Sequence, residues 1–438
     1  MTSAALLGIR TGCTMRLLHL ALLTTTLGET SRLRRGLTSI ARQLAPPEAV
    51  EACASIGRAL EALENRRGRK HRRRGPLVLD LLLLRALDKD CERGAKVRVK
   101  DPSFLRFAWR HASAAYGYVL LKACGLLPGV HIRSSIQRLD ELGIRERCGD
   151  VQVFFENFRD KKTLDGTPKC YVCRDGDRVV LSIRGTADVF DALTDVLCEA
   201  VPFLNGEAHA GMLKAADRCL AATEASILNA LDAAPKKCEL VITGHSMGGG
   251  CALLLSMRLD ELRRRHDAKG PGARLADRLY RGGHDIKCVA FSPPPVATVS
   301  CRASRRCSLH SFCRGEDVVP SLSLRSVANL LRSLDVLDAS LEVGRRARLV
   351  ALDTVKTDAV DEVRMKLGAQ LSKLRDDFHG DDHPARLVVP GGLVRLGQEH
   401  HVFDDKPPVI RVRDASVSDH TLMSVDASIE ALAEHYNV

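Results

Sequence analysis

Aromatic residues are scarce in this chain: Phe, Trp and Tyr together make up 4% of 438 residues, with a single Trp at position 109. The scarcity matters for the basic run Arg66 to Arg74 (RRGRKHRRR), which offers no aromatic ring on which a base could stack. Nucleic acid is therefore a poor expectation, and a solvated linker or an anionic membrane surface a better one. Long apolar runs are missing too. Met15 to Gly28 (MRLLHLALLTTTLG) and Pro76 to Leu84 (PLVLDLLLL, interrupted by Asp80) both fall short of the ~20 residues that a spanning helix needs. The first has the size of a signal-peptide core or a shallow anchor. The 15 cysteines lack any repeating spacing, so no disulfide framework follows. Cys170-Tyr-Val-Cys173 stands alone and is expected on opposite faces of a strand. Cys301, Cys307 and Cys313 lack a fourth ligand, so no metal site is expected, and buried small hydrophobes are the better reading.

The net charge of +12 is unevenly placed. Residues 1–110 carry 22 Lys+Arg against 10 Asp+Glu, which accounts for the whole excess. Residues 1–100 read as an N-terminal extension made of an apolar segment and a basic linker. The neutral remainder, 101–438, reads as one large catalytic domain, and an apolar fraction of 45% gives it ample core material.

Within that remainder the most informative stretch is Val241 to Gly250, VITGHSMGGG. It reads as a buried strand passing through Gly244-His245-Ser246-Met247-Gly248 into an apolar helix. A Ser between two glycines at such a junction sits on a turn too tight for bulkier neighbours, which exposes its hydroxyl as a nucleophile. The pentapeptide alone is weak, and a Gly-rich helix start with a buried Ser is the plain alternative. Context decides between them. Strands are expected at Asp150–Phe158, Lys169–Arg174, Arg178–Ile183, Cys238–Thr243, Ile286–Phe291 and Leu309–Cys313, and helices over Phe104–Leu127 and Ala208–Ala234. The alternation indicates an α/β fold, a mostly parallel sheet with helices on both faces. A charged, helix-rich insertion is expected at about 321–408 before a return to strand at Val409–Val412.

A Ser hydroxyl attacks only when a His accepts its proton and an acid orients that His. Asp317, in GEDVVP after a strand, is the expected acid, with Glu316 as its competitor. His420, between a strand and the final helix, is the expected base, with His400 and His401 competing from a charged loop. Two backbone N–H groups should stabilise the developing oxyanion. Met247 supplies one by its place after the nucleophile, and the loop Arg184-Gly185-Thr186 is positioned to supply the other.

These pieces resemble the class 3, fungal-type lipase family, most of all the sn-1-specific diacylglycerol lipases. The matching segments are AAYG (114–117), VVLSIRGT (179–186), DALTD (191–195), HAGM (209–212), GHSMGGG (244–250), FSPPP (291–295), EDVVP (316–320) and SDH (418–420), in family order. The resemblance implies an α/β-hydrolase fold, a triad of Ser246, Asp317 and His420, and an oxyanion hole at Thr186 and Met247. It also implies a lid near Val196–Glu207, a role for Asp191 and Asp195 in orienting the oxyanion loop or capping a helix, and no cofactor, with calcium as a modulator by analogy alone. The expected activity is hydrolysis of an acylglycerol ester, diacylglycerol at sn-1, at a membrane surface with peripheral or weak attachment. A phospholipase A1, a galactolipid lipase, an acyltransferase, or an inactive adaptor tethered by the basic run are the alternatives. Two departures stand out: the four transmembrane helices that precede the domain in animal diacylglycerol lipases have no counterpart here, and Ser321 stands where the family has Arg after Pro320.

Overall fold

The computed structural model describes residues 77–87, 97–127, 139–158, 166–186, 200–234, 238–265, 269–341, 387–397, 401–403 and 410–438, with scattered positions in 53–57 and 349–374. The apolar segment 15–28, the basic run 66–74, Asp191, Asp195 and His400 lie outside the described residues. The chain divides into two compact units. One comprises Met1–Cys91, Val327–Gly380 and Arg411–Ser416, and in it helix α1 (Leu77–Leu87) is tied by Arg85 to Asp414. Among the described residues no helix is long and apolar enough to cross a membrane.

The other unit comprises Glu92–Ser326, Asp381–Ile410 and Val417–Val438. It opens with α2 (Pro102–Ala114), which starts where Asp101 accepts the Phe104 N–H at 2.9 Å and Pro102 presets the first turn. The single helical stretch expected over 104–127 breaks at Ala115-Tyr116, where Gly117 takes φ +79° at the start of α3 (Gly117–Ala123). After α4 (Leu139–Cys148) come β1 (Gln152–Glu156), β2 (Cys170–Asp175), β3 (Arg178–Ile183), β4 (Ala200–Phe203), β5 (Gly206–His209), α5 (Ala210–Asp232), β6 (Glu239–His245), α6 (Met247–Arg264), α7 (Ala273–Gly282), β7 (Ile286–Phe291), β8 (Ala297–Thr298) and β9 (Cys307–Arg314). Helix α8 (Leu324–Ser340), which from Val327 on belongs to the unit described first, β10 (Leu387–Val388), β11 (Leu393–Leu396), β12 (His401–Phe403) and α9 (Leu422–His435) follow.

The main sheet runs β1-β2-β3-β6-β7-β9-β11-β12, parallel from β3 to β11 and antiparallel at both edges. Its central strands are apolar on both sides, as a sheet covered by helices requires: Val180, Leu181, Val241, Ile242 and Cys288 are all fully buried. The C-x-x-C pair shows the two faces, since Cys170 lies against Cys219 of α5 while Cys173 lies 3.9 Å from His111 of α2. A smaller antiparallel sheet runs β10-β8-β5-β4, and the segment expected as a lid, 196–207, contributes its hairpin β4–β5 over the described residues 200–207.

Two expectations change. Among the described residues, the 321–408 segment is helical up to Leu374, but β11 pairs in parallel with β9 and extends the main sheet, so Leu393–Leu396 is framework and not insertion. The signal is short, four residues after Pro390-Gly391-Gly392, in charged surroundings. The strand expected at Val409–Val412 is absent over the described Ile410–Val412, which are irregular, because β11 already holds the sheet position beside β9.

Candidate active site

The site begins with steric exclusion at the end of β6. Ser246 adopts φ +59°, ψ −130°, a conformation rare for a residue with a side chain, and caps the start of α6. Its neighbours must be glycine. A Cβ on Gly244 would stand 2.5 Å from the Gly248 carbonyl group, and one on Gly248 would collide with the Ile183 carbonyl oxygen. The turn is therefore pressed against the end of β3, where the Arg184-Gly185-Thr186 loop begins.

The other two expected residues converge on that turn. His420, in a short 3-10 turn at Ser418–His420, places Nε2 2.9 Å from Ser246 Oγ. Its Nδ1 lies 3.1 Å from both oxygens of Asp317. Asp317 follows β9, is buried, and accepts the Val319 N–H at 2.9 Å. Burial alone would raise its carboxyl, but the charge and hydrogen bond of His420, with the Val319 N–H, outweigh it and hold the group below the usual carboxylate value. Of the competitors, Glu316 points to solvent, and His401 begins the edge strand β12.

The loop expected to supply the oxyanion hole lies against the same turn. A Cβ on Gly185 would stand 3.0 Å from Ser246 Cβ, so the loop backbone lies directly against the nucleophile. Among the described residues, Thr186 Oγ1 is buried without a hydrogen-bond partner, as a donor awaiting a substrate oxygen would be. Met247 is the first residue of α6, and N–H groups at a helix start have no intrahelical acceptor.

Sequence reasoning missed several groups. His245 is buried beneath His420, with ring centroids 4.7 Å apart, and its Nδ1 lies 2.9 Å from the Tyr116 hydroxyl. Burial, reinforced by His420 and opposed by Asp317, pushes His245 down to about 3, so it is neutral at ordinary pH. Ser292 follows β7 with φ +49°, in register with Ser246 after β6, since His245 pairs with Phe291. Asp419 and Arg395 grip the loop that carries Asp317. Tyr116, His245, Ser292 and Asp419 lie in segments that the sequence singles out, AAYG, GHSMGGG, FSPPP and SDH, but nothing local to those segments shows which atoms they meet.

Residues 180–327 match the family model described as Lipase (class 3), a span that contains Thr186, Ser246, Met247 and Asp317. That stretch is similar to the class 3 lipases. Among curated relatives, the chain is similar to diacylglycerol lipase-alpha of Rattus norvegicus, 26% identical over 254 residues, 54% of this chain and 22% of that protein. Diacylglycerol lipase-beta of Mus musculus is 28% identical over 169 residues, 36% of this chain and 22% of that protein. The chain thus spans about a fifth of the length of these relatives. Among solved structures, a Rhizomucor miehei lipase propeptide complex covers 52% of this chain and 64% of its own at 15% identity, with a TM-score of 0.38. A lipase from Rhizopus microsporus var. chinensis covers 53% and 73% at 18% identity, with a TM-score of 0.37.

Proposed function

We propose that the chain is a serine ester hydrolase acting on acylglycerols, and that its substrate is diacylglycerol cleaved at sn-1 to a monoacylglycerol and a fatty acid. The observation that carries this reading is the continuous hydrogen-bonded series from Ser246 through His420 to Asp317, mounted on a strained turn beside an unpartnered Thr186 hydroxyl. Asp317 on Nδ1 fixes the imidazole so that Nε2 can take the Ser246 proton as Oγ attacks the ester carbonyl. The carbonyl oxygen becomes an oxyanion, held by the Met247 N–H and by Thr186. Collapse breaks the acyl C–O bond, His420 gives its proton to the leaving glyceride alcohol, and the acyl group remains on Ser246. Water, deprotonated by His420, then releases the fatty acid and restores the serine. Ser246, His420 and Asp317 carry these steps with water as co-reactant. The family match and the diacylglycerol lipase relatives support the lipid substrate. Because such esters reside in bilayers, we place the chain at a membrane surface as a peripheral protein, with nucleic acid outside its function.

The test is a lipid-panel hydrolysis assay of the full chain against Ser246→Ala. Diacylglycerol hydrolysis by the wild type, lost in the variant, is the expected result. Equal low rates from both proteins would overturn the hydrolase. Hydrolysis confined to phospholipid or galactolipid would overturn the acylglycerol assignment alone.

A further inference from the structure

Tyr116 sits in the break between α2 and α3, as the residue before the left-handed Gly117, and is 6% exposed. Two parts of the candidate site meet at its hydroxyl. On one side is His245 Nδ1 at 2.9 Å, whose ring supports His420. On the other is the backbone of Gly185, so close that a Cβ there would stand 2.6 Å from the same hydroxyl. The Arg184 guanidinium lies over the Tyr116 ring at 5.4 Å, which ties a second residue of that loop to the same side chain. One buried phenol therefore touches both the loop that carries Thr186 and the support beneath the general base.

We propose that the Tyr116 hydroxyl is a positioning group that couples the oxyanion loop to the seat of His420, a role that rests on the acyl-transfer reading above. Its O–H donates to His245 Nδ1, which leaves the proton of that neutral ring on Nε2 and fixes the tautomer. The ring facing His420 is then uncharged, and no like charge opposes the imidazolium that forms when Ser246 loses its proton. The phenol oxygen keeps a lone pair for the Gly185 N–H, which sets the height of Gly185-Thr186 above Ser246. Tyr116 touches no reacting atom in this scheme. Its effect passes through the placement of two groups that do.

Tyr116→Phe tests this, because it keeps the ring contacts with His245 and Arg184 and removes only the hydroxyl. On a soluble short-chain ester, the expected result is a kcat lowered about tenfold with KM unchanged, the loss of one well-placed neutral hydrogen bond. Combined with Thr186→Ala, the defect of the double variant should be smaller than the product of the two single defects, because both act on one loop. Thr186→Ala measured alone supplies the reference. A wild-type kcat in Tyr116→Phe, a change confined to KM, or fully multiplicative defects would overturn the proposal. Failure of the underlying reading looks different: a wild-type chain that neither hydrolyses the ester nor reacts with a fluorophosphonate at Ser246 overturns both. Hydrolysis that is lost in Ser246→Ala but intact in Tyr116→Phe overturns only the positioning role.

Discussion

The carboxylate of Asp419 accepts the backbone N–H of Glu316 at 2.8 Å, so the residue before His420 is bonded to the residue before Asp317. The lash is tight. Arg314 Nε lies 3.1 Å from the same carboxylate, Gly315 takes φ +38° with a Cβ position that would collide with it, and Arg395 donates to the Gly315 carbonyl at 2.6 Å. The 3.1 Å spacing between Asp317 and His420 is therefore set by backbone as well as by side chains. Asp419→Ala should lower kcat/KM about tenfold, the scale of one charge-assisted hydrogen bond. Asp419→Asn keeps an acceptor for the Glu316 N–H and should retain most of the activity. Steady-state kinetics on both variants checks this, and equal rates in Asp419→Ala and the wild type would remove any role for the lash.

What the sequence makes legible divides by distance along the chain. The elbow is readable because its requirement is local: two glycines and a serine between an apolar strand and a helix, all within one pentapeptide. Asp317 and His420, which the structure brings together, are singled out by their order after Ser246 and by the segments EDVVP and SDH, although the strand expected before His420 does not form over the described Ile410–Val412. The Asp419 lash and the His245–Tyr116 contact are not, because a hydrogen bond between residues far apart in the chain leaves no periodicity. Strand β11 escapes notice for a related reason. Its few residues, in a charged region, gain their strand character from β9 beside them, not from their own pattern.

Gly185 carries a second expectation. Its hydrogen faces the His245 carbonyl oxygen, the Tyr116 hydroxyl and Ser246 Cβ, so a methyl group there must displace the oxyanion loop. Gly185→Ala should cost about 1–3 kcal/mol of stability through overpacking and lower kcat at least about a hundredfold. Gly368, in the other compact unit, has nothing within 4 Å of the place a methyl group would take, and Gly368→Ala should stay within about 1 kcal/mol of the wild type. Urea denaturation of both variants with ester kinetics separates them, and matching behaviour would contradict the packing at Gly185.

The buried His245 gives the fold a pH dependence of definite sign. Its native value is about 3, whereas an unfolded imidazole titrates near 6.5. Between those values the unfolded chain holds a proton that the native chain refuses, so this residue withdraws stability as pH falls from about 6.5 toward 3. His245→Gln removes the titration while its amide can still meet the Tyr116 hydroxyl. Across that window the stability difference between wild type and variant should change by roughly 1.4 kcal/mol per pH unit. Denaturant midpoints at several pH values measure it, and parallel curves would show that His245 is protonated in the native state.

Asp317 and Glu316 are adjacent acids with opposite surroundings, and that contrast makes the final prediction. Asp317 is buried against His420, while Glu316 is exposed. In Asp317→Asn the amide can donate to Nδ1, which moves the imidazole proton to Nε2 and leaves Ser246 without a base, so kcat should fall by about three to four powers of ten. Glu316→Gln should leave kcat within about twofold, since exposed surface substitutions rarely act at a distance. The same pair separates the acid limb of stability. With its carboxyl held below the unfolded value, Asp317 contributes stability that is present above the unfolded pKa and lost as pH falls through the native one. Asp317→Asn should therefore flatten the unfolding profile on the acid side of the ordinary carboxylate range, and Glu316→Gln should leave it as it is. If Glu316→Gln abolished hydrolysis and Asp317→Asn did not, the acid of the triad would have been assigned to the wrong neighbour.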